Sequence, residues 1–138
     1  MNLKEIHIGE FIYHRMKELQ ISSERVTKFL KCTEADIEKM YQQSSLDTDL
    51  LLRWSKLLEY DFFRLYTGHL ILYAPLKSVG NLVSQKNDFP VFRKNIYTEE
   101  VKSFILNKIS TKKMTPQQVI LKYRIPKTTL FKWMKKEL

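Results

Sequence analysis

Near the carboxyl end, Lys127, Thr128 and Thr129 stand together directly after Pro126, with Arg124 before them and Lys132, Lys135 and Lys136 behind. These side chains bring hydrogen-bond donors, methyl groups and fixed positive charge. A lysine ammonium can donate to guanine O6 and N7, and a threonine can turn its methyl to thymine or its hydroxyl to several bases. Cations beside such a group neutralise phosphate and set its register. The chemistry these residues could do is the reading of a DNA duplex, with Lys127, Thr128 and Thr129 at base edges and Arg124, Lys132, Lys135 and Lys136 on the backbone.

Such work needs a helix held by its N-terminal turn against base pairs, and the surrounding sequence predicts one. Thr115, Pro116 and Gln118 form a helix start: the threonine can accept from a free backbone N–H, the glutamine can reach back, and proline fits the first helical position. Val119, Ile120 and Tyr123 supply an inward face. Ile125 falls in the turn, and Pro126 presets a second start. Leu130, Phe131, Trp133 and Met134 recur at helical spacing, with Leu130 and Trp133 expected to face the preceding helix. An ordinary amphipathic hairpin with a solvated lysine face would show the same periodicity.

The stretch YTEEVKSFILNKI followed by TPQQVILKYRIPKTTLFKWMKK resembles the helix-turn-helix segment at the front of insertion-sequence transposases, in which a phrase of the type Y-x-I-P-x-T-T-L-x-x-W marks the turn and second helix. The matching residues are Tyr123, Ile125, Pro126, Thr128, Thr129, Leu130 and Trp133, and the likeness spans 98 to 138. The resemblance implies binding of a terminal repeat or a related DNA site and implies no catalysis.

The charge distribution points the same way. Residues 1 to 76 hold ten Lys or Arg against eleven Asp or Glu, a balance of −1; residues 77 to 138 hold fourteen against four, a balance of +10, and the two restore the net +9. A near-neutral module joined to a basic one is the electrostatic footprint of a nucleic-acid-binding segment. An anionic membrane surface is the rival target, but the carboxyl-terminal helices carry polar and basic residues where an interfacial helix needs a broad apolar face. Met1, Asn2 and Leu3 lead straight into a charged amphipathic segment, and no apolar window of about 18 residues occurs. A cytoplasmic protein without a membrane span is the expectation. Cys32 is the one cysteine and His7, His14 and His69 are scattered, so no zinc spacing is present, no cofactor is implied, and Cys32 is read as a small residue near a helical turn.

With 138 residues, 43% of them hydrophobic, and only three glycines and four prolines, the chain is expected to be all-α and built as two small helical domains. In the front half, Ile8, Ile12, Met16 and Leu19 mark a first helix. Ser22 or Ser23 caps a second with Val26, Phe29 and Leu30 inward. Thr33 with Asp36 makes a capping pair for a third carrying Ile37, Met40 and Tyr41. Asp47 opens a fourth with Leu50, Leu51, Trp54, Leu57 and Leu58, and Phe62, Phe63, Leu65 and Tyr66 begin a fifth.

Five short helices in that order, with SSERVTKFLKCTEADIEKMY as the second and third and LLLRWSKLLEYDF as the fourth, resemble the Cro and lambda-repressor type of helix-turn-helix domain over 7 to 66. The recognition helix of that likeness carries Glu34, Asp36 and Glu38, which would face phosphate, and close like charges cost several kcal/mol. The expectation is a repressor-like domain of residues 1 to 75 used for interaction or dimerisation, or for weak DNA binding in which a carboxylate reads cytosine N4. The run FFRLYTGHLILYAP, Phe62 to Pro75, offers a partner surface where it does not close the core, so a homodimer could form through the domain or through residues 62 to 73.

Residues 76 to 97 read as a linker and basic arm. Arg93 and Lys94 could enter the minor groove beside a major-groove helix, or Phe92 and Tyr97 could anchor the chain while the cations touch phosphate. Thr98 then caps a helix with Val101, Phe104, Ile105 and Ile109 inward, the first of a three-helix unit ending at 138. Phosphoryl transfer would need clustered carboxylates holding two metal ions. Beyond residue 76 only Asp88, Glu99, Glu100 and Glu137 occur, and no phosphate loop or nucleophile grouping appears. No catalytic residue is predicted. The expected function is double-stranded DNA binding, as a transposition accessory or transcription regulator; the alternative is a protein-interaction module with a basic tail.

Overall fold

The structure, a computed structural model, describes residues 2–76, 88–90, 92 and 95–137. Arg93, Lys94 and most of the expected linker lie outside the described residues. Every regular element described is a helix: α1 (Ile8–Leu19), α2 (Ser23–Leu30), α3 (Glu34–Tyr41), α4 (Thr48–Leu58), α5 (Phe63–Tyr73), α6 (Glu99–Ser110), α7 (Pro116–Tyr123) and α8 (Lys127–Glu137). Two compact units make up the chain, Asn2–Leu65 and Tyr66–Leu138, so α5 contributes to both. None of the described helices is long and apolar enough to cross a membrane.

These helices are short, and isolated helices below about 12 to 15 residues are marginal in water. Side-chain caps at their starts supply part of what is missing. The Ser22 hydroxyl accepts from the Arg25 N–H, Asp47 accepts from the N–H groups of Asp49 and Leu50, and Thr98 accepts from Val101. At α3 the Thr33 hydroxyl accepts from the Asp36 N–H over 3.2 Å while Asp36 accepts from the Thr33 N–H over 3.0 Å. The Thr33 N–H first, and its side chain second, hold the Asp36 carboxyl below the ordinary carboxylate range.

In the amino-terminal unit α1 packs on α3 and α4, and α2 packs on the same two helices. Ile8, Ile12, Val26, Trp54, Leu58 and Phe62 are fully buried between them. The indole N–H of Trp54 donates to Met40 Sδ over 3.4 Å, which gives this buried donor a partner. Arg53 on α4 donates to the Phe29 carbonyl over 2.8 Å and so closes the C-terminal end of α2. Two inward assignments made from periodicity are corrected: Leu19 and Phe29 are exposed, because the stripe that meets α3 and α4 runs through Met16 and through Val26 and Leu30 instead.

The closest approach in this unit is between the start of α1 and the end of α3. The N–H groups of Ile8 and Gly9 donate to the carbonyls of Ser44 and Gln43 over 3.0 Å each. A Cβ at Gly9 would overlap the backbone carbonyl oxygens of Met40 and Tyr41. Neither carbonyl belongs to a flexible side chain, so the backbone itself would have to shift.

Two outcomes follow from these contacts. Gly9→Ala is expected to lower the unfolding free energy by about 2 kcal/mol or more, read as a lower midpoint in urea; an unchanged midpoint would show that the α1–α3 approach can open without cost. Because the Asp36 carboxyl is held low, its contribution to stability is present at neutral pH and is lost as pH falls through that lowered value, below about pH 4. Acid titration of the thermal midpoint should therefore fall less steeply in Asp36→Asn than in the parent chain in that window, and identical slopes would refute the linkage.

Candidate nucleic-acid interface

The carboxyl-terminal helices are positioned by local chemistry of the expected kind. Thr115 accepts from the Gln118 N–H over 3.2 Å, and Gln118 Oε1 accepts from the Thr115 N–H over 2.9 Å, closing the start of α7 with Pro116 inside its first turn. The helix stops at Tyr123 because Arg124 takes a left-handed conformation, φ 53° and ψ 41°. Ile125, at 1% exposure, is driven into the core, and the Pro126 carbonyl accepts from the Leu130 N–H over 3.1 Å to begin α8. Three residues thus separate two helices, the connection length typical of a helix-turn-helix.

The core beneath this turn is formed by Val119, Tyr123, Ile125 and Leu130 together with Val101, Ile105 and Leu106 of α6, all buried. Helix α8 packs against both α6 and α7. Trp133 meets the entry of α6. Its ring meets Tyr97 edge-on at 5.0 Å between centroids, and Lys102 Nζ lies 5.9 Å from it, so it seals α8 to the entry of α6. Burial raises the Tyr123 phenol above its ordinary range, with Tyr73 contributing second, and this ring stays neutral.

With Leu130 turned fully inward, the opposite side of α8 is open. Lys127, Thr128, Lys132, Lys135 and Lys136 are exposed, as is Arg124 at the elbow, whereas Thr129 is half-buried on the flank. The residues assigned from sequence therefore do gather on one side of one helix and its turn, with Thr128 the more accessible of the two threonines. Among the described residues the ion pairs with Asp or Glu are made by Arg15, Lys28, Arg64 and Lys102, and none of the six cations of α7, its turn and α8 takes part.

The first turn of α8 opens on a cation, Lys127. Helices α1, α2, α3, α4 and α6 each carry a carboxylate there, which suits the positive end of the helix dipole. Helices α5, α7 and α8 carry none. A cation at that end is opposed by the dipole, and the combination of free N–H groups and ammonium suits an anion. Lys135 and Lys136, in the last turn, have an ordinary role as well, since cations there complement the dipole.

Sequence reasoning missed two surface features. Phe131 is 44% exposed and Leu121, on α7, is 80% exposed. Leu130 is buried, as its spacing predicts, and this leaves Phe131 outward.

The pair α2–α3 repeats the layout with opposite chemistry. An eight-residue helix ends on left-handed Lys31, φ 53° and ψ 52°, and the next begins three residues later. Here Glu34 accepts from the Ser23 hydroxyl over 2.9 Å and Asp36 is held by Thr33. Glu34 thus ties α3 to α2, while Asp36 closes the start of α3 itself. Cys32 sits in this turn, half-buried; burial first and the Asp36 charge second push its thiol above the ordinary range, against a smaller opposing effect of Arg53, so it is a poor nucleophile.

Among the described residues there is no cluster of His, Cys, Asp or Glu able to hold a metal ion. No protein-family model, no curated protein and no solved structure matches this chain.

Proposed function

We propose that the chain binds double-stranded DNA by seating the N-terminal half of α8 in the major groove, with no catalytic step of its own. The observation that carries this is the first turn of α8: Lys127 and Thr128 exposed on a helix whose opposite side is locked by Leu130, after a three-residue turn, with the surrounding cations unpaired by carboxylates. Lys127, Thr128 and Thr129 read bases, the half-buried Thr129 from the flank. Arg124, Lys132, Lys135 and Lys136 hold phosphates, and Arg93 and Lys94 serve as the minor-groove arm. In this assignment residues 98–138 are the DNA-binding helix-turn-helix, 76–97 the linker and arm, and 1–75 a repressor-like domain for interaction or self-association. The role is regulation of transcription or assistance to transposition in the cytoplasm, in keeping with the transposase-like and repressor-like sequence patterns.

A second function is favoured by a different observation. Leu70 and Tyr73 of α5 are 44% and 39% exposed in a run where Leu65, Ile71 and Leu72 are buried, and these would suit a protein-interaction module with a basic tail.

The two separate on DNA. If the chain neutralises about six phosphates, affinity for its preferred duplex falls by roughly a thousandfold between 50 and 200 mM salt, measured by fluorescence anisotropy; a flat response rules out the DNA assignment. Thr128→Ala combined with Thr129→Ala is expected to relax site preference by about 1 to 3 kcal/mol per lost base contact, measured as the ratio of affinities for the preferred and a scrambled duplex. An unchanged ratio would favour the interaction module.

A further inference from the structure

Phe131 lies on the open side of α8 among groups suited to DNA. Thr128 precedes it by three residues, Lys127 precedes it by four and Lys135 follows by four, and residues so spaced are neighbours on a helix surface. Lys127 Nζ lies 5.7 Å from the centre of the Phe131 ring, within the range of a cation–π contact. The inward position beside it is already filled by Leu130, so Phe131 is not required to complete the core, and 44% of it remains exposed.

A single exposed aromatic is common on protein surfaces. What distinguishes this one is its company: a phenyl ring between Lys127, assigned to a base edge, and Lys135, assigned to phosphate, is carried to the same surface they bind. The major groove offers such a ring one distinctive apolar feature, the C5 methyl of thymine, and phenylalanine is among the side chains that contact it. The Lys127 contact also orders the two side chains relative to each other, so that a donor to a purine edge and an apolar face are presented together.

We propose that Phe131 is a specificity-determining residue that selects thymine through its methyl group, adjacent to the base read by Lys127. This rests on the placement of α8 in the major groove proposed above. Burial of one methyl is worth about a fourfold change in affinity, a modest preference but one assigned to a defined atom.

The test uses the full chain and the tightest duplex recovered from a random pool, together with versions in which each thymine in turn is replaced by uracil, which lacks only the methyl. The parent chain is expected to lose roughly fourfold in affinity at one or two of these positions. Phe131→Ala should bind thymine and uracil alike there while keeping any penalties elsewhere, and Phe131→Leu, which retains an apolar group, should keep part of the discrimination. Matching circular dichroism and thermal midpoints confirm that the variants fold. If Phe131→Ala keeps every uracil penalty, or the parent chain shows none, the assignment of Phe131 is overturned while DNA binding stands. If the pool yields no preferred duplex, both fall together.

Discussion

Short helices that cannot persist alone set the terms for this molecule. Helices α2, α3 and α7 have eight residues each, too few to propagate without help, so each must be closed at its ends and pinned along one side. The side-chain caps do the first, and the buried stripes through Val26, Ile37 and Val119 do the second. At the carboxyl end the surface that α8 turns outward is therefore set by what Leu130 and Trp133 grip on its other side. The outward residues are left exposed because Leu130 fills the interior position.

The two helix pairs show how one arrangement can be directed to different ends by charge. In α2–α3 the carboxylates are consumed internally, on the Ser23 hydroxyl and on the start of α3 itself. In α7–α8 the cations have no carboxylate partners among the described residues, and one of them, Lys127, stands at the helix end whose dipole opposes it. Charge that is satisfied within the fold stabilises it; charge left over is available to a partner. This contrast, more than the shared layout, separates what the two pairs are proposed to do.

Much of the local architecture was legible from sequence, because a cap is a contract between residues three apart. Ser22, Thr33 with Asp36, Asp47, Thr98 and Thr115 with Gln118 all close the helices expected of them, and the all-helical class follows. The side of each helix that turns inward was less legible. Leu19 and Phe29 fit an apolar period yet face solvent, Leu106 is buried without having been noticed, and the contact of Trp133 with Tyr97 was not foreseen. Each of these depends on the position of a helix distant in sequence. The close approach at Gly9 was equally invisible, since nothing local requires a glycine there. Within the candidate site the cationic residues, Thr128 and the inward Leu130 could be named from type and spacing, whereas the half-burial of Thr129 depends on the packing of α8.

The left-handed residues that end these helices are not glycines. Gln20, Lys31, Glu59, Lys112 and Arg124 all hold φ between 49° and 61°, a conformation that costs an ordinary L-residue roughly 1 to 2 kcal/mol. The fold thus tolerates several small backbone penalties that a smaller residue would relieve, and in return each bend keeps a long polar side chain at its apex. At Arg124 that apex is the elbow beside α8, where an exposed guanidinium is kept at the expense of relaxed torsion. Stability has been surrendered at the corner where the molecule meets its surroundings.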